Sequence, residues 1–214
     1  MGKIRKRFNK NTVICRMKKC IFLLFTLVLV NCKQTKYKNP HVMLSTSYGE
    51  AEIELFPENA PQTVAAFLSY VDSGFYKNSS FYRLLSNENV PPENNTGLIQ
   101  GGIFVSNPSL LVRLPGIAHE PTSKTHLSHT DGAISLARNN PGTASTEFFI
   151  CIGDQTQFDA KQSFDRLGFA TFGKVINGME VIRRIQNNVH EGQYFKYQMR
   201  ILNIERVKEE VVSH

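Results

Sequence analysis

Phe81-Tyr82-Arg83-Leu84-Leu85 is the stretch from which the fold is read. Aromatic and aliphatic residues dominate it, Gly74 precedes it and a polar loop follows it, so it reads as a β-strand. Arg83 is out of place in that run. Arginine is rarely buried without a partner, so Arg83 either points to solvent from a half-buried strand or faces a pocket. The strand by itself favours the solvent-facing reading. A second short strand with a polar centre, Leu98-Ile99-Gln100-Gly101-Gly102, comes after it.

The 214 residues allow one domain plus a leader, and an apolar fraction of 41% is enough for a sizeable core. The net charge of +7 raises the question of nucleic acid. Residues 1–31 hold 8 of the 25 Lys and Arg and no acid, leaving 17 cations against 18 Asp and Glu in residues 32–214. The folded part is therefore nearly neutral, and no nucleic-acid partner is expected. Within the leader, Met17-Lys18-Lys19 forms a basic start and Cys20 to Val30 an apolar run too short to span a bilayer. Leu29-Val30-Asn31-Cys32, followed by Lys33-Gln34-Thr35-Lys36, resembles a bacterial lipoprotein cleavage site, whose cysteine becomes the lipidated N-terminus. The expected organisation is a signal segment at 1–31, a lipidated N-terminus and tether at 32–40, a domain at 41–208 and a tail at 209–214. That places the protein in a bacterial cell envelope, held to the membrane only by lipid on Cys32. The alternative is ordinary cleavage to a soluble periplasmic or secreted protein. Of the four cysteines only Cys151 lies in the domain. It cannot form an internal bridge, and it reads as a small buried apolar residue.

In chain order, His41 to Thr46 and Glu50 to Phe56 form a hairpin around Ser47-Tyr48-Gly49. Glu50, Glu52 and Glu54 alternate outward, and Ala51, Ile53 and Leu55 inward. Pro61 opens a helix whose apolar stripe is Val64, Phe67, Leu68 and Val71, closed by Gly74. Ser86 to Gly97 is a polar surface loop, and Ile103 to Thr130 a long loop of the kind that forms binding walls. Strands are expected at Ala133 to Arg138, Glu147 to Ile152, Thr171 to Ile176 and Gln198 to Val207. Asn177-Gly178 leads into a second helix bearing Met179, Ile182 and Ile185. Strand runs without regular helical crossovers predict an antiparallel barrel.

The residues call for little chemistry on their own. His119-Glu120, His126 and His129 share one loop, but their spacing matches no zinc pattern, and no metal or cofactor is expected. Gly101 and Gly102 precede no helix start, so they are not a phosphate loop. No serine sits in a nucleophile-elbow context.

Five pieces in order carry a resemblance: Phe81-Tyr82-Arg83, Gln100-Gly101-Gly102, Ile134-Ser135-Leu136-Ala137-Arg138, Glu147-Phe148-Phe149-Ile150 and Phe172-Gly173-Lys174-Val175. Together they resemble the cyclophilin-type peptidyl-prolyl cis-trans isomerases, over about His41 to Lys208. The resemblance implies a mainly β fold, an eight-stranded closed antiparallel barrel capped by two helices, with the active groove on its outer face. It implies that Arg83 is the catalytic arginine and that Gln100 positions it. It also implies that the backbone of Ala137, Arg138 and Asn139 holds the substrate residue before proline. Phe149, Leu98 and Phe158 then line the proline pocket. Three positions depart from the family: Gly97 stands where many members carry Phe, Glu147 replaces a Gln beside the groove, and Phe169 falls where a His often lies.

The chemistry this implies suits the residue set. Partial double-bond character holds a peptide C–N bond behind a barrier of about 18–20 kcal/mol, and X-Pro bonds exchange unaided over roughly tens to hundreds of seconds. As the bond twists, the proline nitrogen regains a lone pair. A guanidinium aimed there bonds the twisted state and little else, which is differential binding of the transition state. Proline-containing polypeptides are the expected partners of a monomeric enzyme. A proline-peptide-binding chaperone module with weak catalysis is the alternative.

Overall fold

His41–Thr46 (β1) and Gly49–Leu55 (β2) pair as the predicted hairpin, His41 opposite Glu54 and Thr46 opposite Gly49. The computed structural model describes Gly2, residues 37–87 and residues 89–208. Cys32 with its leader, and the tail at 209–214, lie outside the described residues. After β2 come Pro61–Asp72 (α1), Ser79–Leu85 (β3), Gly97–Gly102 (β4), Pro108–Leu111 (α2), Thr122–Thr125 (α3), Ala133–Leu136 (β5) and Phe148–Ile152 (β6). Ala170–Asn177 (β7), Met179–Gln186 (α4), His190–Glu191 (β8) and Tyr194–Arg206 (β9) complete the order.

The strands run β1-β2-β7-β5-β6-β4-β3-β9, every neighbour antiparallel, and β9 returns to β1. Eight strands thus close into a barrel, and β8 adds a short hairpin to β9. Closure leaves no bare edge around the ring. Inward residues of each strand fill the interior, including Leu44, Ile53, Phe81, Leu84, Ile99, Ile134, Phe148, Phe172 and Ile204. Each such Phe or Leu contributes about 1.5–3 kcal/mol by leaving water.

Helix α1 buries Val64, Phe67, Leu68 and Val71 as its spacing predicts. Phe67 meets the rings of Tyr76 at 5.3 Å, Phe172 at 5.0 Å and Phe148 at 6.0 Å. Its N-terminus carries no side-chain cap of its own. Instead the buried Glu120 carboxylate accepts from Thr63 N and Thr63 Oγ1, both at 2.8 Å, and from Gln62 N at 3.3 Å. A carboxylate suits a helix N-terminus because it satisfies free N–H groups and opposes the dipole. Helix α4 packs against the start of β2, with Val181 against Gly49.

The long loop expected at Ile103 to Thr130 contains two short helices, α2 and α3. Each is a single turn, too short to show a helical period. The closing strand begins at Tyr194 rather than Gln198, because its first residues pair with the two-residue β8. Among the described residues no helix is long and apolar enough to cross a membrane.

Candidate active site

A β-bulge settles where Arg83 points. On β3, Phe81 pairs with Gly101 and Arg83 with Gln100, so Tyr82 is an extra residue in the ladder with β4. The ladder with β9 breaks at the same place, Phe81 opposite Met199 and Arg83 opposite Tyr194. A regular strand would send alternate residues to opposite faces. With one residue inserted, Phe81 and Leu84 both face the core, fully buried, while Tyr82 and Arg83 both stay on the outer face, half-buried. Bulges often re-aim a side chain in this way.

Arg83 is then held from two sides. Its NH1 donates to Gln100 Oε1 at 2.8 Å. Its Nε and NH2 both donate to Gln193 Oε1, at 3.1 and 2.6 Å. Gln193 sits in the tight turn between β8 and β9. Of the five guanidinium N–H groups, one on each terminal nitrogen remains outside these bonds among the described residues.

Arg83 forms part of the wall of an outer cavity of about 650 Å³. Leu98, Gln100, Ala137, Arg138, Asn139, Glu147, Phe149 and Phe158 line the same cavity, so the structure brings every expected site residue of the domain together. Leu98, Phe149, Leu85, Ala137, Phe158 and Phe169 make a second apolar cluster outside the barrel. Phe148 and Phe149 split between the two: Phe148 fills the interior, and Phe149 is the floor of the cavity. Phe158, from the turn Thr156–Phe158, meets Phe149 edge-on at 5.7 Å, and Phe169 does so at 5.5 Å.

Behind that floor lies His129, fully buried and parallel to Phe149 at 5.8 Å. Its Nδ1 donates to Asp159 Oδ1 at 2.6 Å, and its Nε2 lies 3.1 Å from both Ser135 Oγ and Thr171 Oγ1, with one lone pair for the two hydroxyls to share. A serine, a histidine and an aspartate are thus in a row, but Ser135 and His129 have no exposed surface that a substrate could reach. Burial pushes the His129 pKa down, with Asp159 opposing. His119 turns instead to the Leu167 carbonyl, and Glu120 to α1. Among the described residues no three His, Cys, Asp or Glu side chains are grouped to hold a metal ion. Cys151 is fully buried on β6, and burial pushes its thiol pKa up.

The side chain of Arg138 leaves the cavity for the loop behind it. It donates to Asp165 Oδ2 at 2.6 Å and to the Gly168 carbonyl, and its guanidinium lies 5.0 Å from the Phe169 ring centre. Its bond to Asp165 holds that carboxyl well below the usual carboxylate range.

The family model for cyclophilin-type peptidyl-prolyl cis-trans isomerases matches residues 41–206. The chain belongs to that family. A peptidyl-prolyl cis-trans isomerase of Acinetobacter baylyi is 35% identical over 150 residues, covering 70% of this chain and 73% of its own. Peptidyl-prolyl cis-trans isomerase A of Dickeya dadantii is 35% identical over 146 residues, covering 68% and 70%. A crystal structure of a Cryptosporidium parvum cyclophilin-type isomerase has the same fold at a TM-score of 0.61. It is 23% identical and covers 79% of this chain and 98% of its own.

The family's departures acquire physical reasons. Gly97 has φ +135°, and a Cβ there would lie 2.1 Å from the Leu85 carbonyl oxygen, so no side chain fits. The apolar wall is built from Leu85, Leu98, Phe149, Phe158 and Phe169 instead. Glu147 is not a loose carboxylate. Its Oε1 accepts from Ile103 N at 2.7 Å, Phe104 N at 3.0 Å and Thr146 Oγ1 at 3.2 Å, and its Oε2 from Tyr82 at 2.7 Å. Gly102, with φ +146°, leaves the room this carboxylate occupies. Gln193, Tyr82 and Phe104 were missed by sequence reasoning. Gln193 reaches Arg83 across 110 positions, and no local pattern announces it. Tyr82 could have been found only by foreseeing the bulge.

Proposed function

We propose that this isomerase turns the X-Pro bond in the cavity beside Arg83, and that it does so at the bacterial cell envelope. The observation that carries the first part is the pair of guanidinium N–H groups left uncommitted among the described residues, in the same wall as Leu98, Phe149 and Phe158. The apolar group grips the proline ring. The backbone of Ala137, Arg138 and Asn139 holds the residue before it. As the C–N bond twists, the nitrogen pyramidalises and its lone pair accepts from Arg83. No bond breaks and no proton transfers, so neither nucleophile nor base is required. Arg83 keeps its proton throughout, since guanidinium does not deprotonate in proteins.

Arg83→Ala should lower kcat/KM on an X-Pro peptide by about 10²–10³, the usual loss when one charge-stabilising donor is removed. The circular dichroism spectrum should not change. NMR exchange measures the rate directly, and turnover equal to the parent's would remove Arg83 from the mechanism.

The envelope assignment rests on the leader, with its basic start, short apolar run and Cys32. Lipid on Cys32 holds the enzyme at a membrane where secreted or membrane proteins fold. Palmitate fed to cells should label the parent and not Cys32→Ser. Label that persists in the variant, or is absent from the parent, overturns the anchor.

A further inference from the structure

A chain of hydrogen bonds links Glu147 to Arg83 through two intermediates. Tyr82 O–H donates to Glu147 Oε2 at 2.7 Å, Gln100 Nε2 donates to the Tyr82 oxygen at 2.9 Å, and Arg83 NH1 donates to Gln100 Oε1 at 2.8 Å. Every donor points the same way, toward Glu147. The two ends dictate this direction. An ionised carboxylate can only accept and a guanidinium can only donate, whereas Tyr82 and Gln100 can each do both. Glu147 therefore keeps the phenol proton on its side, which leaves the phenol oxygen free to accept from Gln100. That in turn leaves the Gln100 carbonyl oxygen, and not its NH₂, facing Arg83.

We infer that Glu147 is a positioning residue for Arg83: its carboxylate sets the polarity of the Tyr82–Gln100 chain, so that Gln100 presents an acceptor to the guanidinium. An amide at 147 would lose that control. Its oxygen would be drawn to the N–H groups of Ile103 and Phe104, as Glu147 Oε1 is now. Its NH₂ would then face the Tyr82 oxygen and donate to it. The Tyr82 proton would turn to Gln100, and the Gln100 amide would rotate to receive it. Gln100 would then offer NH₂ to Arg83, donor against donor, and the guanidinium would swing away on the Gln193 side. A glutamine at 147 would thus conflict with Tyr82 in this chain for an electronic reason rather than a steric one. The Phe104 ring lies 5.4 Å from that of Tyr82.

This inference rests on Arg83 as the catalytic group, so parent and Arg83→Ala are measured alongside. The test is a double-mutant cycle in the full chain: Glu147→Gln, Tyr82→Phe and the pair, each with kcat/KM by NMR exchange on one X-Pro peptide. Glu147→Gln should cost about tenfold with Tyr82 present and less than about twofold in the Tyr82→Phe background, because coupled neighbours in one network are not additive. Equal losses in the two backgrounds would mean that Glu147 acts on the peptide, or merely holds the 103–104 turn, and would overturn the proposal. No loss in either background would also overturn it. Should Glu147→Gln fail to fold, Glu147→Met takes its place in the same cycle. With no acceptor at 147 the Tyr82 proton again turns to Gln100, so a loss confined to the background that has Tyr82 is expected, and equal losses or none would overturn the proposal. Parent-like turnover in Arg83→Ala would instead remove the arginine mechanism itself, a separate failure.

Discussion

His129 shows how one residue behind a binding surface can be held in a single protonation state. Burial lowers its pKa, and the Asp159 bond raises it only in part. Unfolded, the imidazole takes its proton at about 6.5. Between that value and the lower folded one the unfolded chain binds more protons, so stability falls as pH drops through the window. A protonated ring would also need a proton on Nε2, the nitrogen that now faces the Ser135 and Thr171 hydroxyls. His129 should therefore titrate below about 6.5 in the folded enzyme, read from its imidazole resonances. A midpoint at or above that value would mean that the Asp159 pairing outweighs burial. None of this was legible in the loop where His129 stands among His119 and His126, three histidines whose spacing matches no ligand pattern. The partners of His129 and His119 come from β5, β7 and the 159–168 loop, which only the closed barrel brings near. Arg83 was legible as an anomaly, and its direction was not: a bulge depends on pairing with two other strands, and the β3 sequence contains no sign of it.

At the scale of elements, the ends of β3 and β4 are pinned together by a glycine and a helix. Gln186 on α4 donates Nε2 to the carbonyls of Leu85 and Thr96, at 2.8 and 3.2 Å. Gly97 passes so close that a Cβ there would lie 2.1 Å from the Leu85 carbonyl oxygen. Gly74, past the end of α1, also has positive φ, at +68°, but nothing lies within 4 Å of the place a Cβ would take. The two glycines separate conformational strain from crowding. Gly74→Asn should cost less than about 1 kcal/mol, because asparagine tolerates that region. Gly97→Ala should cost at least about 2 kcal/mol, since strain and a backbone clash add. Urea midpoints at constant m-value compare them, and equal shifts would show that β4 can move off Leu85. Helix α1 and the long strands were legible because their apolar periods run over several residues. The single-turn helices and β8 were not, because two to four residues contain no period.

The barrel closes through its first and last strands. β1 pairs with the far half of β9, Leu44 opposite Ile204 and Val42 opposite Arg206, with Leu44 and Ile204 in the core. Every cavity-lining residue lies between Tyr82 and Tyr194, inside that closure. The antiparallel barrel was legible as a class from strands joined by turns, since parallel strands would have needed helical crossovers. Its strand order was not, because β9 must pair on both sides and the sequence does not announce this. Residues 37–208 should consequently fold and isomerise alone, with kcat/KM within about twofold of the full chain, as a unit with its own core does. A chain ending at Met199 should not. It keeps every cavity residue but removes Ile201 and Ile204 from the interior and leaves β1 from Val42 to Thr46 without its second partner. A bare edge and a breached core remain, and unfolding should be broad or complete at room temperature. Cooperative unfolding and parent-like turnover in the 37–199 chain would show that the cavity stands on β3, β4 and β6 without closure. Loss of turnover in the 37–208 chain would place part of the working enzyme outside the barrel.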